Sequence, residues 1–135
     1  MKHILTCSFG KDSIATALLA LQHGEPLDEL VYSEVMFSDT VSGELPEHKR
    51  FIYETAIPYF EKRGIPTKIL RGQKTYLDCF YHIVSRGNAE GKLASFPLTG
   101  RCCIQRDCKL PPIRNYQKTL PQDTVYYLGI AADEP

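Results

Sequence analysis

The stretch His3-Ile4-Leu5-Thr6-Cys7-Ser8-Phe9-Gly10-Lys11-Asp12-Ser13 starts as a short apolar run and ends in a polar turn. A run of this length closed by Ser-Phe-Gly predicts a buried strand. From Asp12 the period changes. Ile14, Leu18 and Leu21 recur at helical spacing, Ala15, Ala17 and Ala20 are strong helix formers, and Gly24 followed by Pro26 supplies a stop. The reading is strand, tight glycine turn, helix.

A turn in that position is an anion site in waiting. The first N–H groups of a helix have no intrahelical partner, and the helix dipole favours negative charge. Gly10 lets the backbone approach a phosphate closely and adopt a positive φ, Ser8 and Ser13 add hydroxyl donors, and Lys11 adds a mobile charge. Asp12 is better suited to cap the helix or help hold a magnesium ion. Two better-known phosphate loops are excluded. The Walker pattern needs a glycine at position 5, which is Leu5, and the dinucleotide fingerprint needs three spaced glycines where only Gly10 stands.

Working outward, Leu30 to Phe37 predicts a second strand, with Ser38-Asp39-Thr40 opening a polar loop after it. Pro46 suits the first turn of a helix whose stripe is Phe51, Ile52, Thr55, Tyr59 and Phe60, with a kink at Pro58 and an end at Gly64. Pro66 to Leu70 predicts a third strand and Tyr76 to Val84 a short helix. Ser85 to Gly100 reads as an exposed loop able to act as a flap, Cys103 to Gln117 as a helix interrupted near Pro111-Pro112, and Val125 to Ile130 as a last strand. This alternation argues for an α/β fold with a mainly parallel sheet and ligands beyond the carboxyl ends of the strands. The 135 residues are read as one domain, 1–135, that stops abruptly after its last strand.

Composition excludes some classes of function. Sixteen basic residues balance sixteen acidic ones, so no overall field draws the chain to nucleic acid or to a membrane. The apolar run Ile4 to Cys7 is too short for a secretory signal, and no run reaches the roughly 18 apolar residues of a membrane span, so a cytoplasmic protein is expected. Five cysteines without an export signal argue against a disulfide framework and leave free thiols, a metal site or a cluster.

Ser8-Phe9-Gly10-Lys11-Asp12-Ser13 resembles the PP-loop of the N-type ATP pyrophosphatases, and the rest of the chain resembles the phosphoadenosine phosphosulfate (PAPS) reductase family. Three further stretches carry the resemblance in order: Phe37-Ser38-Asp39-Thr40 with Glu44-Leu45-Pro46-Glu47; Arg101-Cys102-Cys103 with Lys109 and Pro111-Pro112; and Gly129-Ile130 with Asp133-Glu134. It implies a three-layer, Rossmann-like adenine nucleotide alpha hydrolase fold that binds ATP, PAPS or adenosine phosphosulfate (APS). Phosphates would rest on Ser8, Gly10, Lys11 and Ser13, and adenine would be read by backbone near Val35 and Phe37. Lys109 and Arg101 would close over the phosphate or phosphosulfate. Phe9 stands where the common loop has a second glycine, which removes a flexible point and narrows the cradle.

The resemblance also implies chemistry at the cysteines. Its iron–sulfur branch pairs Cys-Cys with a distant Cys-x-x-Cys to hold a [4Fe–4S] cluster, and this chain lacks the distant pair. Cys102, Cys103 and Cys108 are the candidate ligands, with Cys7 or Cys79 as a fourth. The family's reductases use a cysteine near the C-terminus as nucleophile, and no cysteine follows Cys108. A thiol donor protein and a homodimer are the macromolecular partners left open. Asp39, beyond the second strand, is a candidate for magnesium or a ribose hydroxyl, or a turn cap. Arg106 and Arg114 read as a solvated helix face, and His82 as partly buried. Adenylation with pyrophosphate release, sulfonucleotide reduction, and a non-catalytic nucleotide-binding subunit of a sulfur-modification system are the functions in view.

Overall fold

The computed structural model describes residues 1–95 and 102–133. Its elements are β1 (His3–Thr6), α1 (Lys11–His23), β2 (Glu29–Glu34), α2 (Pro46–Phe51), α3 (Ile57–Glu61), β3 (Thr67–Arg71), α4 (Tyr76–Phe80), α5 (Leu110–Gln117) and β4 (Val125–Tyr127). The four strands form one parallel sheet in the order β3-β2-β1-β4. The chain walks from β1 outward to β3, then returns to the other side of β1. Its strand order therefore reverses between β1 and β4, where a crevice opens at the carboxyl ends.

Alternation along the strands sorts the two faces. Leu5, Cys7, Leu30 and Tyr32 enter a core with Ala17 of α1 and with Ile52, Ala56, Ile57 and Phe60. Val31 and Ser33 point the other way, where the Ser33 hydroxyl donates to the Lys109 carbonyl at the start of α5 (2.9 Å). Helices thus cover both faces, which is the α/β fold expected from the alternation of elements.

Two π-helical segments sit immediately before prolines. Ile52–Ala56 joins α2 to α3, which contains Pro58, and Gln105–Lys109 leads into α5 with Pro111 and Pro112. Proline has no N–H to donate to the fourth residue back, and its ring collides with that carbonyl. A wider turn relieves the collision. The discontinuity expected at Pro58 is therefore a π turn preceding it.

Several boundaries differ from the sequence expectation. β2 ends at Glu34, because Met36 bridges back to Ser42 and the Phe37 N–H donates to the Val41 carbonyl. The chain folds on itself there although Val35, Met36 and Phe37 continue the apolar run. α4 stops at Phe80, and an antiparallel bridge between Ile83 and Leu93 makes a small hairpin of the first part of the expected flap. The last strand is three residues, Val125–Tyr127. Among the described residues no helix is long and apolar enough to cross a membrane.

Candidate functional site

α1 begins on Gly10, whose backbone is extended (φ −76°, ψ 171°), and ends on Gly24 in the left-handed region (φ 68°). The Glu25 and Gly24 N–H groups close the last turn onto the Ala20 and Leu21 carbonyls (2.8 and 3.3 Å). No side chain caps the start of α1, so the capping role expected of Asp12 is not taken. The turn is instead tied by serines. The Ser13 hydroxyl donates to the Gly10 carbonyl (3.1 Å) and lies 3.4 Å from the Ser8 hydroxyl, which accepts from the Gly10 N–H at the same distance.

The positive φ of the turn falls on Phe9 (φ 58°), not on Gly10. This turns the Phe9 ring inward, where it is buried and meets Tyr32 edge-on with centroids 5.4 Å apart. Phe9 is a core residue beneath the turn and does not narrow a phosphate cradle from above.

Over the turn lies a cavity of about 670 Å³, within the usual range for small-molecule sites. Ser8, Gly10, Asp12 and Ser13 line it from the turn, Val35 from beyond β2, and Lys109 from the segment before α5. Lys11 is exposed on the first turn of α1 and is not among the lining residues; nor are Asp39 and Phe37, both exposed. The Phe37 N–H and C=O are engaged by Val41 and Leu77, and the Val35 carbonyl accepts from the Gly43 N–H (2.8 Å). Those hydrogen bonds tie this backbone to the protein's own loop and to α4, with Val35 still on the cavity wall. Arg101 lies outside the described residues, as does Glu134. Arg106 is turned away and binds Asp107 through two hydrogen bonds (2.8 and 2.9 Å), and Arg114 and Asp133 are exposed.

Several residues that line the cavity had no site role assigned from the sequence, although Glu44 and Gly129 lie in stretches that carry the resemblance. Glu44 presents a carboxylate to it, fixed by a hydrogen bond from the Tyr32 hydroxyl (3.0 Å) and facing His48 at 4.0 Å. Burial, and then the Glu44 charge, push the Tyr32 phenol far above its ordinary range, so it serves only as a donor. Gly43 is wedged so tightly that a Cβ there would lie 2.7 Å from the Val35 carbonyl and 2.9 Å from the Tyr76 ring. Gly129 follows β4 and closes the crevice on the other side, where a Cβ would lie 2.8 Å from the Asp12 carbonyl. The signal available for these positions was their place just past strand ends.

The cysteines do not share one environment. Cys7 lines the cavity at the end of β1, but burial pushes its thiol up, against the thiolate that nucleophilic attack needs. Cys102 is exposed, and its sulfur accepts from the Gln105 N–H (3.4 Å). Cys103 is half-buried, and Cys108 is buried against Cys79. Among the described residues no group of three or more His, Cys, Asp or Glu is arranged to hold a metal ion. His82, expected to be partly buried, is exposed beside a separate cleft.

No model of a known protein family, no curated protein and no solved structure matches this chain.

Proposed function

We propose that the cavity is an adenine-nucleotide site of the PP-loop, PAPS reductase-like type. The supporting observation is the serine–glycine turn at the start of α1. It aims Ser8, Gly10 and Ser13 into a cavity at the strand-order reversal, with Lys109 on the wall. Helix N-terminal N–H groups and two hydroxyls suit a phosphate chain, and a single ammonium from the far wall suits its negative charge. Asp12 is a hard oxygen donor on the same side, of the kind that holds magnesium together with substrate phosphates. Magnesium would there neutralise phosphate charge, while the turn holds the leaving pyrophosphate.

Of the two reactions in view, attack at the α-phosphate of ATP fits better than thiol-dependent reduction of PAPS or APS. The cavity's own thiol, Cys7, is buried and held protonated. A binding subunit without turnover is the second reading, and the outward placement of Lys11 favours it. Calorimetry with ATP, PAPS and APS tests the site, with Lys109→Ala and Ser8→Ala as variants. A purified chain that binds none of the three overturns the proposal. Release of AMP and pyrophosphate separates the enzyme from the binding subunit.

A further inference from the structure

Cys79 of α4 and Cys108 of the π segment come together from positions 29 apart in sequence. Their sulfurs are 3.5 Å apart, and both residues are buried, at 5% and 0% exposure. Cys103 packs against the pair. A cleft of about 290 Å³, separate from the nucleotide cavity, is lined by Lys74, Asp78, Cys79, His82, Cys103 and Arg106 among others, so a reagent in it reaches Cys79 and Cys103, with Cys108 behind Cys79.

We propose that Cys79 and Cys108 form a redox couple that closes to a disulfide by exchange with a small-molecule disulfide entering this cleft. The Cys79 thiolate attacks one sulfur of the reagent, forming a mixed disulfide and releasing one thiol. Cys108, deprotonated, then attacks the Cys79 sulfur, forming the intramolecular bond and releasing the second thiol. The protein loses two protons and two electrons, and the small disulfide becomes two thiols.

The surroundings favour closure. α4 is anchored by a Thr75–Asp78 capping box and by N–H bonds from Tyr76 and Leu77 to the Met36 and Phe37 carbonyls (2.9 and 3.1 Å). Cys108 sits in a π turn, whose wider winding tolerates adjustment better than a regular helix. Burial pushes the Cys108 thiol up to about 12 and raises Cys79 as well. The raised thiols make the exchange slow near neutral pH and faster as pH rises, while the reduced pair, gaining nothing from thiolate stabilisation, is a good reductant. A bridge would tie together the elements that supply Tyr76 on one side of the nucleotide cavity and Gln105 and Lys109 on the other.

The test is to expose the folded protein to oxidised glutathione, quench with acid, alkylate and digest with trypsin. Cleavage places Cys79 in the peptide 75–86, Cys108 in 107–109, and Cys102 with Cys103 in 102–106, so the Cys79–Cys108 pairing is distinguishable from any with Cys102 or Cys103. The expected result is the loss of two of the five thiols and a linkage of 75–86 to 107–109. Cys102→Ser should leave that linkage unchanged, and Cys108→Ala should arrest Cys79 as its glutathione adduct. A linkage of 75–86 to 102–106 instead, or five thiols retained by the folded wild type, overturns the proposal. The readout involves no nucleotide, so its failure and that of the nucleotide site are distinguishable.

Discussion

The Arg71 guanidinium donates two hydrogen bonds, of 2.9 and 2.6 Å, to one oxygen of the Glu34 carboxylate, which is wholly buried at the end of β2. Ser42 donates to the other oxygen (3.0 Å) and Tyr53 to the first (3.1 Å), with Lys49 at 3.9 Å. The pair ties β2 to β3, and Ser42 ties the loop leading to Glu44. Arg71→Ala takes the main partner from a buried carboxylate and should cost about 1–3 kcal/mol, since the arginine itself is half exposed. Arg71→Lys should recover only part of it, since an ammonium lacks the fork. Urea unfolding measures both.

Burial works against the Glu34 charge, but the bonds from Arg71, Ser42 and Tyr53 outweigh it and hold the carboxyl below its ordinary value of 4.5. A carboxyl held down in the folded state adds stability that is complete above its unfolded value and is lost as pH falls through the folded one. Unfolding free energy should therefore fall with acid below about pH 4.5, and Glu34→Gln should flatten that slope while lowering stability near neutrality. Unchanged acid slopes in the variant would exclude Glu34 as the responsible group.

Phe9 combines burial with a left-handed backbone. Phe9→Ala should cost about 3–5 kcal/mol from lost packing against Tyr32. Phe9→Gly loses the same ring yet relieves a backbone penalty of about 1 kcal/mol, so it should be the less damaging of the two. Thermal and urea midpoints give the order.

These residues also show what a sequence can and cannot reveal. β1, the turn and α1 are legible because apolar period, helix-forming alanines and the Gly24-Pro26 stop act within a few residues of one another. Glu34 carries no local signal, because its partner lies 37 positions away. Phe37 looked like strand and ligand edge until the Met36–Ser42 bridge turned the chain. The direction of Phe9 depended on one backbone angle, and the meeting of Cys79 with Cys108 on packing between distant elements. The serines and Gly10 line the cavity as the local helix start suggests, whereas Lys11, read from the same turn, is exposed and outside the lining.

Lys109 lines the cavity and Lys11 does not. Lys109→Ala should weaken nucleotide binding by about 1.5–3 kcal/mol, roughly ten- to a hundredfold, as for loss of a hydrogen bond to a charged group. Lys11→Ala should change affinity much less. Equal losses in calorimetry would mean that Lys11 swings over the phosphates when the ligand binds.

Gly129 touches the first turn of α1, with the Asp12 carbonyl and Thr16 hydroxyl 2.8 and 2.9 Å from where a Cβ would be. Gly129→Ala must push the chain after β4 away from α1, at about 1–3 kcal/mol. Nucleotide affinity should fall with it, because Gly129 and Asp12 share the cavity wall. Retained affinity in a destabilised variant would separate that contact from binding.

The paired π turns carry a consequence for tolerated changes of length. Each residue of a regular helix turns it by about 100°, so a single deletion ordinarily swings everything downstream onto the wrong face. Within Ile52–Ala56 or Gln105–Lys109 a deletion would contract a wide turn to a regular one and leave both flanks in phase. Relatives of this chain that are one residue shorter at either place would keep the same core, and at the second would lose the offset that sets Lys109 beside the crevice.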